Sequence, residues 1–464
     1  MAVKPARKRV GPDVTAFDAV TLRDRIAAGE LTAVSALEAF FDRVDAREPE
    51  VRAWRFLDRE FAMKKAGEAD AWRKRGRPIG SLHGVPVGLK DIIDTRAMPT
   101  ENGTPIDAGR RPRRDATIVA RLRSAGAVVM GKTVTTELAF YTPRETTNPH
   151  NPARTPGGSS SGSAAAVAAH MVPLAIGTQT NGSVIRPASF CGVVGFKPSF
   201  GVIPRTGLLA QSRPLDTVGV FANSVDGAAL LADVLAGHDP DDPDTRVEAP
   251  PRLLELARSE PPLKPLFAFV KQPAWDQAEA TTHEAFAELA EELGELCDEV
   301  PLPDVFAEAI PAHAALMFGG FSRNLQTYYE RGREQLSERM CSAIEDGHKI
   351  TAAQYLTALD WPDVLYAGLE KVFERYDAII TPAAAGEAPA GLESTGNPAF
   401  CTPWTLLGVP AISLPLMQGP NGLPLGVQLV GPRGNDGRLL RTANWLVRHL
   451  SAQTMSPGAE QVAR

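Results

Sequence analysis

Cysteine is scarce and widely spaced in this sequence. None of the four cysteines among the 464 residues belongs to a CxxC pair; they are Cys191, Cys297, Cys341 and Cys401. This spacing excludes a compact zinc or redox motif and a disulfide-stapled scaffold, so isolated buried thiols are expected. No apolar run approaches the roughly 18 residues of a membrane span, and no apolar segment follows the basic N-terminus as it would in a signal peptide. We therefore expect a soluble cytoplasmic protein that does not bind membranes.

The sequence also lacks a strong charge of one sign. Lys and Arg number 49 against 55 Asp and Glu, which gives a net charge of −6. This balance offers no general attraction to nucleic acid, and no nucleic-acid partner is expected. Apolar residues make up 44% and charged residues 22%, as in an ordinary globular protein. The 40 glycines and 39 prolines predict many turns and a site built from loops.

The order of the predicted elements is typical of an α/β fold. Apolar strand patterns lie at 85–92, 127–132, 174–180, 376–383, 410–416 and 423–431. Helical patterns lie at 31–48 with Thr32 as cap, 115–126, 163–171 and 436–450. This alternation predicts a mixed central β-sheet that is covered on both faces by helices. Because strands lie on both sides of a mainly helical stretch at about 275–376, we expect a single domain over 1–464 with a helical insertion.

Two short motifs match known signatures but lack the required context. Gly126 to Thr133 fits GxxxxGK[ST], yet its middle is apolar like a buried strand rather than an open phosphate loop. Gly158 to Gly162 fits GxSxG, yet three prolines in the preceding residues exclude the strand that must precede a nucleophile elbow. Neither phosphate binding nor a Ser/His/Asp triad is expected. The histidines interpreted as structural residues include His83, His170 and His313.

A longer constellation has greater weight. Residues 157–199 combine a serine- and glycine-rich loop, an alanine-rich helix, a strand and a second glycine-serine loop. LHGVPVGLKDIIDT precedes this stretch, and DAIITPA, LLGVPAISLPL and GLPLGVQLVG follow it in that order. Together these segments closely resemble the amidase signature family over most of the chain. The resemblance implies that family's α/β fold and cleavage of a C–N bond through an acyl-serine intermediate, without a metal or cofactor.

The resemblance also assigns roles to individual residues. Lys90 in GLKD matches the family's catalytic lysine, and Ser183 in NGSVIR matches its nucleophile. Ser159 in GGSSSG lies 24 residues before Ser183 and matches the relay serine that follows a cis peptide bond. The residues that lie where family members form an oxyanion hole from backbone N–H groups are Thr180, Asn181, Gly182 and Ser183.

This assignment is chemically coherent. A serine hydroxyl is a weak nucleophile and needs a base within hydrogen-bond reach, and lysine can be that base only when it is neutral. The ordinary lysine pKa near 10.4 must therefore fall by roughly 2–3 units, which burial can achieve. Ser159 would then pass the proton of Ser183 to Lys90 and return it to the leaving amine.

The sequence departs from the family pattern near the nucleophile. Gln179 replaces a carboxylate that commonly supports the loop, although its amide can still form hydrogen bonds. Asn181 replaces a glycine, and its side chain is expected to project toward the substrate entrance and narrow the pocket. Arg186 resembles the arginine with which malonamidase-type members hold a substrate carboxylate, and an internal ion pair or a clamp on a carbonyl behind the loop is equally compatible with its position. Lys197 is expected to be structural.

The preferred hypothesis is a serine hydrolase that cleaves a small amide, aryl amide or carbamate. Its expected partner is that small molecule, and a homodimer is left open. One alternative is the A subunit of a glutamyl-tRNA amidotransferase, which would require partner subunits. It is disfavoured by the SVIRP spacing and by the diverged 275–376 region. A second alternative, motivated by Asn181, is a catalytically impaired binding homologue.

Overall fold

The protein is built on one large mixed β-sheet. The computed structural model describes residues 13–454, and the basic N-terminal segment 1–12 lies outside the described residues. The strands are β1 Trp54–Leu57, β2 Pro86–Lys90, β3 Val128–Thr133, β4 Leu174–Gln179, β5 Val194–Lys197, β6 Thr217–Ala222, β7 Phe267–Phe269, β8 Cys297–Glu299, β9 Ala378–Pro382, β10 Ala411–Gln418 and β11 Pro424–Val430. Their order across the sheet is β1-β3-β2-β4-β6-β5-β10-β11-β9-β7-β8.

Parallel and antiparallel pairs alternate in blocks along this sheet. The parallel pairs are β3 with β2, β2 with β4, β9 with β7, and β7 with β8. The other six pairs are antiparallel. Successive side chains on a strand point to opposite faces, and both faces of the inner strands are buried. In β9, for example, Ile380 packs into one hydrophobic cluster and Ile379 into another.

Helices form the layers on the two faces. The α-helices are α1 Ala19–Ala28, α2 Ala33–Val51, α3 Arg59–Lys74, α4 Thr117–Ser124, α5 Ser161–Ala168, α6 Ile185–Cys191, α7 Val225–Leu235, α8 Leu253–Arg258, α9 Ala280–Leu293, α10 Ala309–Asn324, α11 Gln326–Gly332, α12 Glu338–Lys349, α13 Ala352–Phe373, α14 Thr402–Leu406 and α15 Asp436–Thr454. The predicted α/β fold with a mixed, covered sheet is therefore confirmed.

Local capping explains where α2 begins and where α4 ends. Thr32 caps α2 as expected, because its hydroxyl accepts the backbone N–H of Ser35 while the Ser35 hydroxyl accepts the N–H of Thr32. Gly126 follows α4 with a positive φ of 81°, and the apolar residues after it form the buried strand β3. The GxxxxGK[ST] match is thus a helix end and a strand.

The stretch between β7 and β9 holds α9 to α13. It is mainly helical, as the sequence indicates, but it also contributes β8, which pairs with β7 at the edge of the sheet. Its helices pack against each other through the second hydrophobic cluster, which includes Leu316, Ile344 and Leu365. Within the described residues, the helical segment Asp304–Asn324 is long and apolar enough to cross a membrane. Of its most apolar 18-residue stretch, 44% is buried inside the protein.

Candidate active site

The candidate site begins where two parallel strands end side by side. β2 and β4 are neighbours, with Leu89 paired to Ile176, so their carboxyl ends lie together. Lys90, the last residue of β2, donates from its Nζ to the hydroxyl of Thr178 in β4 at 2.9 Å. The same Nζ lies 2.7 Å from Ser159 Oγ. The parallel pairing thus brings the predicted lysine and relay serine together.

Burial sets the protonation state of Lys90. Its side chain is completely buried, and burial holds the pKa of its ammonium well below the ordinary value, while the negative charge of Asp216 acts in the opposite direction. A charged amine is expensive to bury, because it loses its hydration shell. Lys90 can therefore be neutral near physiological pH. A neutral amine has one lone pair, which is free to accept a proton from Ser159.

Ser159 is positioned by a tightly packed loop. The Gly158–Ser159 peptide bond is cis. A Cβ on Gly158 would lie 2.7 Å from Thr395 Cγ2 and 3.1 Å from Thr136 Cγ2, so only glycine fits there. The carbonyl of Ser159 accepts the backbone N–H of Thr136 at 3.2 Å. α5 follows directly, and its small residues are buried beneath the loop.

Ser183 lies in the turn between β4 and α6 and is 8% exposed. The backbone N–H groups of Asn181, Gly182 and Ser183 are in buried residues, and none has an acceptor among residues 13–454. Buried N–H groups without partners are rare in folded proteins. Three in succession next to a serine can bind a negatively charged oxygen.

The carbonyls of the same turn are all occupied. The Thr180 carbonyl accepts from His313 Nε2 at 2.8 Å, and the Asn181 carbonyl accepts the hydroxyl of Thr405. The next carbonyl accepts the backbone N–H of Arg186 at 3.0 Å. In a trans peptide unit the N–H points away from the preceding carbonyl. The three occupied carbonyls therefore fix the directions of the three unpartnered N–H groups.

Gln179 caps the helix that follows the turn. Its Oε1 accepts the N–H groups of Val184 and Ile185 at 2.8 and 3.0 Å, and its Nε2 donates to the Thr405 hydroxyl at 2.9 Å. The amide thus supplies the acceptor that the first turn of α6 requires. It adds a donor that a carboxylate would lack, and the site gains no negative charge at this position.

The side chain of Asn181 is held on both sides rather than projecting freely. Its Nδ2 donates to the Tyr141 hydroxyl at 3.1 Å, and its Oδ1 accepts the Thr402 hydroxyl at 2.7 Å. Asn181 is 8% exposed, while Tyr141 is half-buried. The side chain therefore joins two segments that are distant in sequence.

Arg186 lies beneath the serine loop. Its side chain is completely buried, and Nη2 donates to the Gly158 carbonyl at 2.7 Å and to the Thr395 hydroxyl at 3.2 Å. Its Nε and Nη1 are buried without partners among the described residues. Of the two roles left open by the sequence, these contacts match the internal clamp on a carbonyl.

Several residues of the site carried no signal in the sequence. The Thr180 hydroxyl lies 2.6 Å from Asp216 Oδ1 and 2.8 Å from Gln211 Oε1. Burial raises the pKa of the Asp216 carboxyl. Thr405 and His313 reach the turn from 133 or more positions away in the chain, so no local pattern reveals them.

The remaining buried cations are structural in their contacts. Lys197 Nζ donates to the carbonyls of Val409 and Pro198 at 2.6 and 3.0 Å, as expected for a structural lysine. Lys132 donates to Thr100 Oγ1 at 2.8 Å and lies 3.7 Å from Asp91. Burial lowers the pKa of Lys132 and of Lys197 to about 8 in each case.

A cavity of about 350 Å³ opens beside this cluster, and its lining includes Thr178, Thr180, Gln211 and Asp216. In residues 13–454 there is no group of three or more His, Cys, Asp or Glu side chains placed to hold a metal. All four cysteines are free, three of them buried and Cys297 half-buried. A Cβ at position 182 would lie 3.1 Å from Cys401 Sγ, so this thiol packs directly against the turn.

Comparison with known proteins gives relatives along almost the whole chain. The chain is 36% identical over 478 residues to the A subunit of the glutamyl-tRNA(Gln) amidotransferase of Salinispora tropica, with 93% of this chain and 96% of that protein covered. The corresponding protein of Streptomyces coelicolor is 35% identical, with coverages of 92% and 95%. The peptide amidase from Stenotrophomonas maltophilia has a similar structure, with a TM-score of 0.80, 28% identity, and 94% and 97% of the two chains covered.

These relatives correct two expectations. The hypothesis of a hydrolase for a small amide, aryl amide or carbamate is wrong as the preferred function, because the relatives are amidotransferase subunits and favour the first alternative. The expectation of a small molecule as the only partner, with no nucleic acid involved, is overturned by the same finding. Neither the overall charge nor the residues around Ser183 distinguish these possibilities.

The family assignment itself does not depend on that choice. The family model described as Amidase matches residues 35–440, which includes every residue of the candidate site. The similar solved structures have the same overall fold. The chain belongs to the amidase signature family.

Proposed function

We propose that this protein is the amidase component of an amidotransferase that acts on glutamyl-tRNA(Gln). The similarity to such components at 34–36% identity over 93% of the chain carries this proposal. The geometry supports it, because the cluster around Lys90 is suited to releasing nitrogen from a carboxamide. Since these relatives are subunits, their enzymes contain further chains, and we propose that at least one such chain brings the tRNA.

In this proposal Ser183 is the nucleophile, Ser159 the proton relay and Lys90 the base. Ser183 Oγ attacks the carboxamide carbon, and its proton passes through Ser159 to the neutral Lys90 amine. The carbonyl oxygen becomes an oxyanion that accepts from the N–H groups of Asn181, Gly182 and Ser183. The oxyanion hole expected over residues 180–183 is thus proposed to act through these three N–H groups.

Collapse of the tetrahedral intermediate breaks the C–N bond. The proton held by Lys90 returns through Ser159 to the departing nitrogen, which leaves as ammonia. An acyl group remains on Ser183, and water then hydrolyses that ester by the same proton path. Each cycle therefore converts a carboxamide and water into a carboxylate and ammonia, and the protonation state of Lys90 is restored.

The donor is a primary carboxamide, since only such a group releases free ammonia for transfer. Glutamine and asparagine are the amino acids that carry one. We propose Arg186 as a support for the Ser159 loop rather than a ligand of this donor, because its guanidinium is enclosed and bound to the Gly158 carbonyl. We place the protein in the cytoplasm, where tRNA is aminoacylated, and propose that 1–464 is one domain with an insertion at about 275–376.

Reconstitution tests the proposal. The purified chain is combined with the other subunits of the Salinispora tropica enzyme, Glu-tRNA(Gln), ATP, and glutamine labelled with ¹⁵N in its amide. We expect labelled Gln-tRNA(Gln). The Ser183→Ala variant should lose transfer from glutamine but retain transfer from added ammonium, because ammonium bypasses bond cleavage.

The native amidase component of that enzyme is the positive control. If it gives product under conditions where this chain gives none from either glutamine or ammonium, the chain is not an amidotransferase component. If ammonium works with this chain but glutamine and asparagine do not, the assignment of the donor is wrong.

A further inference from the structure

One buried histidine from the insertion reaches the turn that carries the nucleophile. His313 lies on α10, and its Nε2 is 2.8 Å from the carbonyl oxygen of Thr180. The two residues are 133 positions apart in the chain. His313 is 1% exposed, so no water competes for this contact from outside.

The protonation state of His313 defines the direction of the hydrogen bond. Burial lowers the pKa of its imidazole to about 4, although the Thr180 carbonyl acts in the opposite direction. The ring is therefore neutral at physiological pH. A carbonyl can only accept a hydrogen bond, so the proton of the neutral ring is on Nε2.

The peptide unit that His313 holds is one of the three that face the candidate oxyanion. The carbonyl of Thr180 and the N–H of Asn181 belong to the same planar unit and point in opposite directions. Holding that carbonyl on one side therefore aims the Asn181 N–H at the other side, which has no acceptor among the described residues. The next two units are held by Thr405 of α14 and by the N–H of Arg186 of α6, both of which lie outside α9–α13.

We propose that His313 is a positioning residue that orients the Asn181 N–H for the oxyanion of the transition state. The inference rests on the proposed function only in requiring that the turn at 180–183 binds an oxyanion. The imidazole does not contact the donor. Its effect is confined to the tetrahedral state, because only then does the oxygen carry the charge that makes the direction of the N–H matter.

A pair of variants with similar shapes provides the test. His313→Gln keeps an N–H near the position of Nε2, whereas His313→Met has a similar length and no donor. The probes are an alkyl fluorophosphonate, which reacts with Ser183 through a charged intermediate, and phenylboronic acid, which forms a tetrahedral adduct. Intact mass gives kinact and KI for the first probe, and competition gives Kd for the second.

We expect His313→Met to lower kinact by about 10–100-fold, less than or equal to the ~10²–10³-fold cost of removing an oxyanion donor. Its KI should stay within about threefold, and its Kd for phenylboronic acid should rise by a factor comparable to the loss in kinact. His313→Gln should remain within about threefold of the wild type in all three quantities. A merely structural histidine would not separate kinact from KI in this way.

Equal losses in the two variants, or an unchanged kinact in His313→Met, would overturn the inference. If His313→Met does not fold, His313→Asn replaces it, since its N–H lies near the Nδ1 position instead. Wild-type behaviour of His313→Asn would then overturn the inference. If the wild type fails to react at Ser183, the proposed function fails, whereas reaction of all variants at the wild-type rate removes only the role of His313.

Discussion

The two regions that meet at the candidate site contribute very different groups. The sheet region, comprising β2, β4, the Gly158–Ser159 loop and the turn 180–183, supplies a buried lysine, both serines and three N–H groups without an acceptor among residues 13–454. The helical stretch α9–α13, which we propose to be an insertion, supplies the His313 contact to the turn. Among residues 13–454, half of the large apolar side chains that remain exposed lie on this stretch, namely Val305, Ile310, Leu356, Leu359 and Val364. Buried polar side chains of the sheet region, such as those of Lys90 and Gln179, need hydrogen-bond partners, which constrains their neighbours strongly. The exposed apolar side chains of α9–α13 have no such requirement.

The largest expected effect follows from removing the hydroxyl of Ser183, the proposed nucleophile. Ser183→Ala should abolish labelling by a fluorophosphonate, because the other hydroxyl of the turn, that of Thr180, is bound to Asp216 and Gln211. Intact mass should show one adduct on the wild type and none on the variant. Labelling at Ser159 or Ser160 instead would contradict this assignment, because the nucleophile would then lie in the serine-rich loop before α5.

The base should be nearly as important. Lys90→Met should lower the rate of amide cleavage by about 10²–10⁴-fold, as expected for loss of general acid–base catalysis. Cleavage of a matched ester should suffer less, because an alkoxide depends less on proton return than an amine. The activity of the wild type should rise with pH as Lys90 becomes neutral. This rise in the pH–rate profile should be absent in Lys90→Met. Equal losses for amide and ester would show that Lys90 acts by positioning.

The support of the turn from outside α9–α13, by Thr405 of α14, gives an intermediate effect. Thr405→Val removes the hydroxyl that holds the Asn181 carbonyl, whereas Thr405→Ser retains it. We expect Thr405→Val to lower the rate by about tenfold or more, below the ~10²–10³-fold cost of losing a donor itself. Thr405→Ser should stay close to the wild type. Comparing the rate loss in Thr405→Val with that in His313→Met shows how much each of these two contacts contributes to holding the turn.

Buried lysines of the sheet should also link stability to pH. The folded-state pKa of Lys197 is about 8, below its unfolded value, so the unfolded state binds more protons between pH 8 and about 10.5. Its contribution to the free energy of unfolding should therefore rise with pH in that window, by up to about 1.4 kcal/mol per pH unit. Urea denaturation of wild type and Lys197→Met across pH 7–10.5 checks this. Parallel curves would show that Lys197 is neutral or charged in both states.

The smallest effect is expected at Tyr141, which contacts the side chain of Asn181. Tyr141→Phe removes only the hydroxyl that receives the Asn181 amide and leaves the ring against Phe140. The rate with a small substrate should change by less than about tenfold, because the N–H groups of the turn keep their supports. Bulkier acyl groups should be accepted more readily. Asn181→Gly should act in the same direction and more strongly, and a collapse for every substrate would show that the amide side chain takes part in catalysis.

The sequence predicted the centre of the site more fully than its surroundings. Lys90 and Ser159 follow from ordered motifs, and parallel strands bring those motifs together. The expectation that Asn181 projects into the entrance missed Thr402, which lies 221 positions later and has no motif of its own. His313 was interpreted as a structural histidine, because burial and a single hydrogen bond to a distant carbonyl leave no periodic or spacing signal.

The fold shows the same division. Long apolar strands such as β4 and β11 were located from their patterns, whereas β7 and β8 have only three residues each, too few for a period to be recognised. The preference for an independent hydrolase over an amidotransferase component could not be corrected from the site, because the same acyl chemistry at Ser183 is proposed for both functions. Whole-chain similarity favours the amidotransferase component.

The free thiols make the turn observable without an added label. Alkylating reagents attack thiolates, and burial raises the pKa of Cys401, which packs against Gly182, to about 12. Burial also raises the pKa of Cys191 at the end of α6. Iodoacetamide should therefore modify these two cysteines only when the structure opens locally. The rate of their modification then reports how often the segment that carries Ser183 opens. If an acyl group on Ser183 slows this alkylation, the decrease in rate measures how much the covalent intermediate stabilises the segment that holds it.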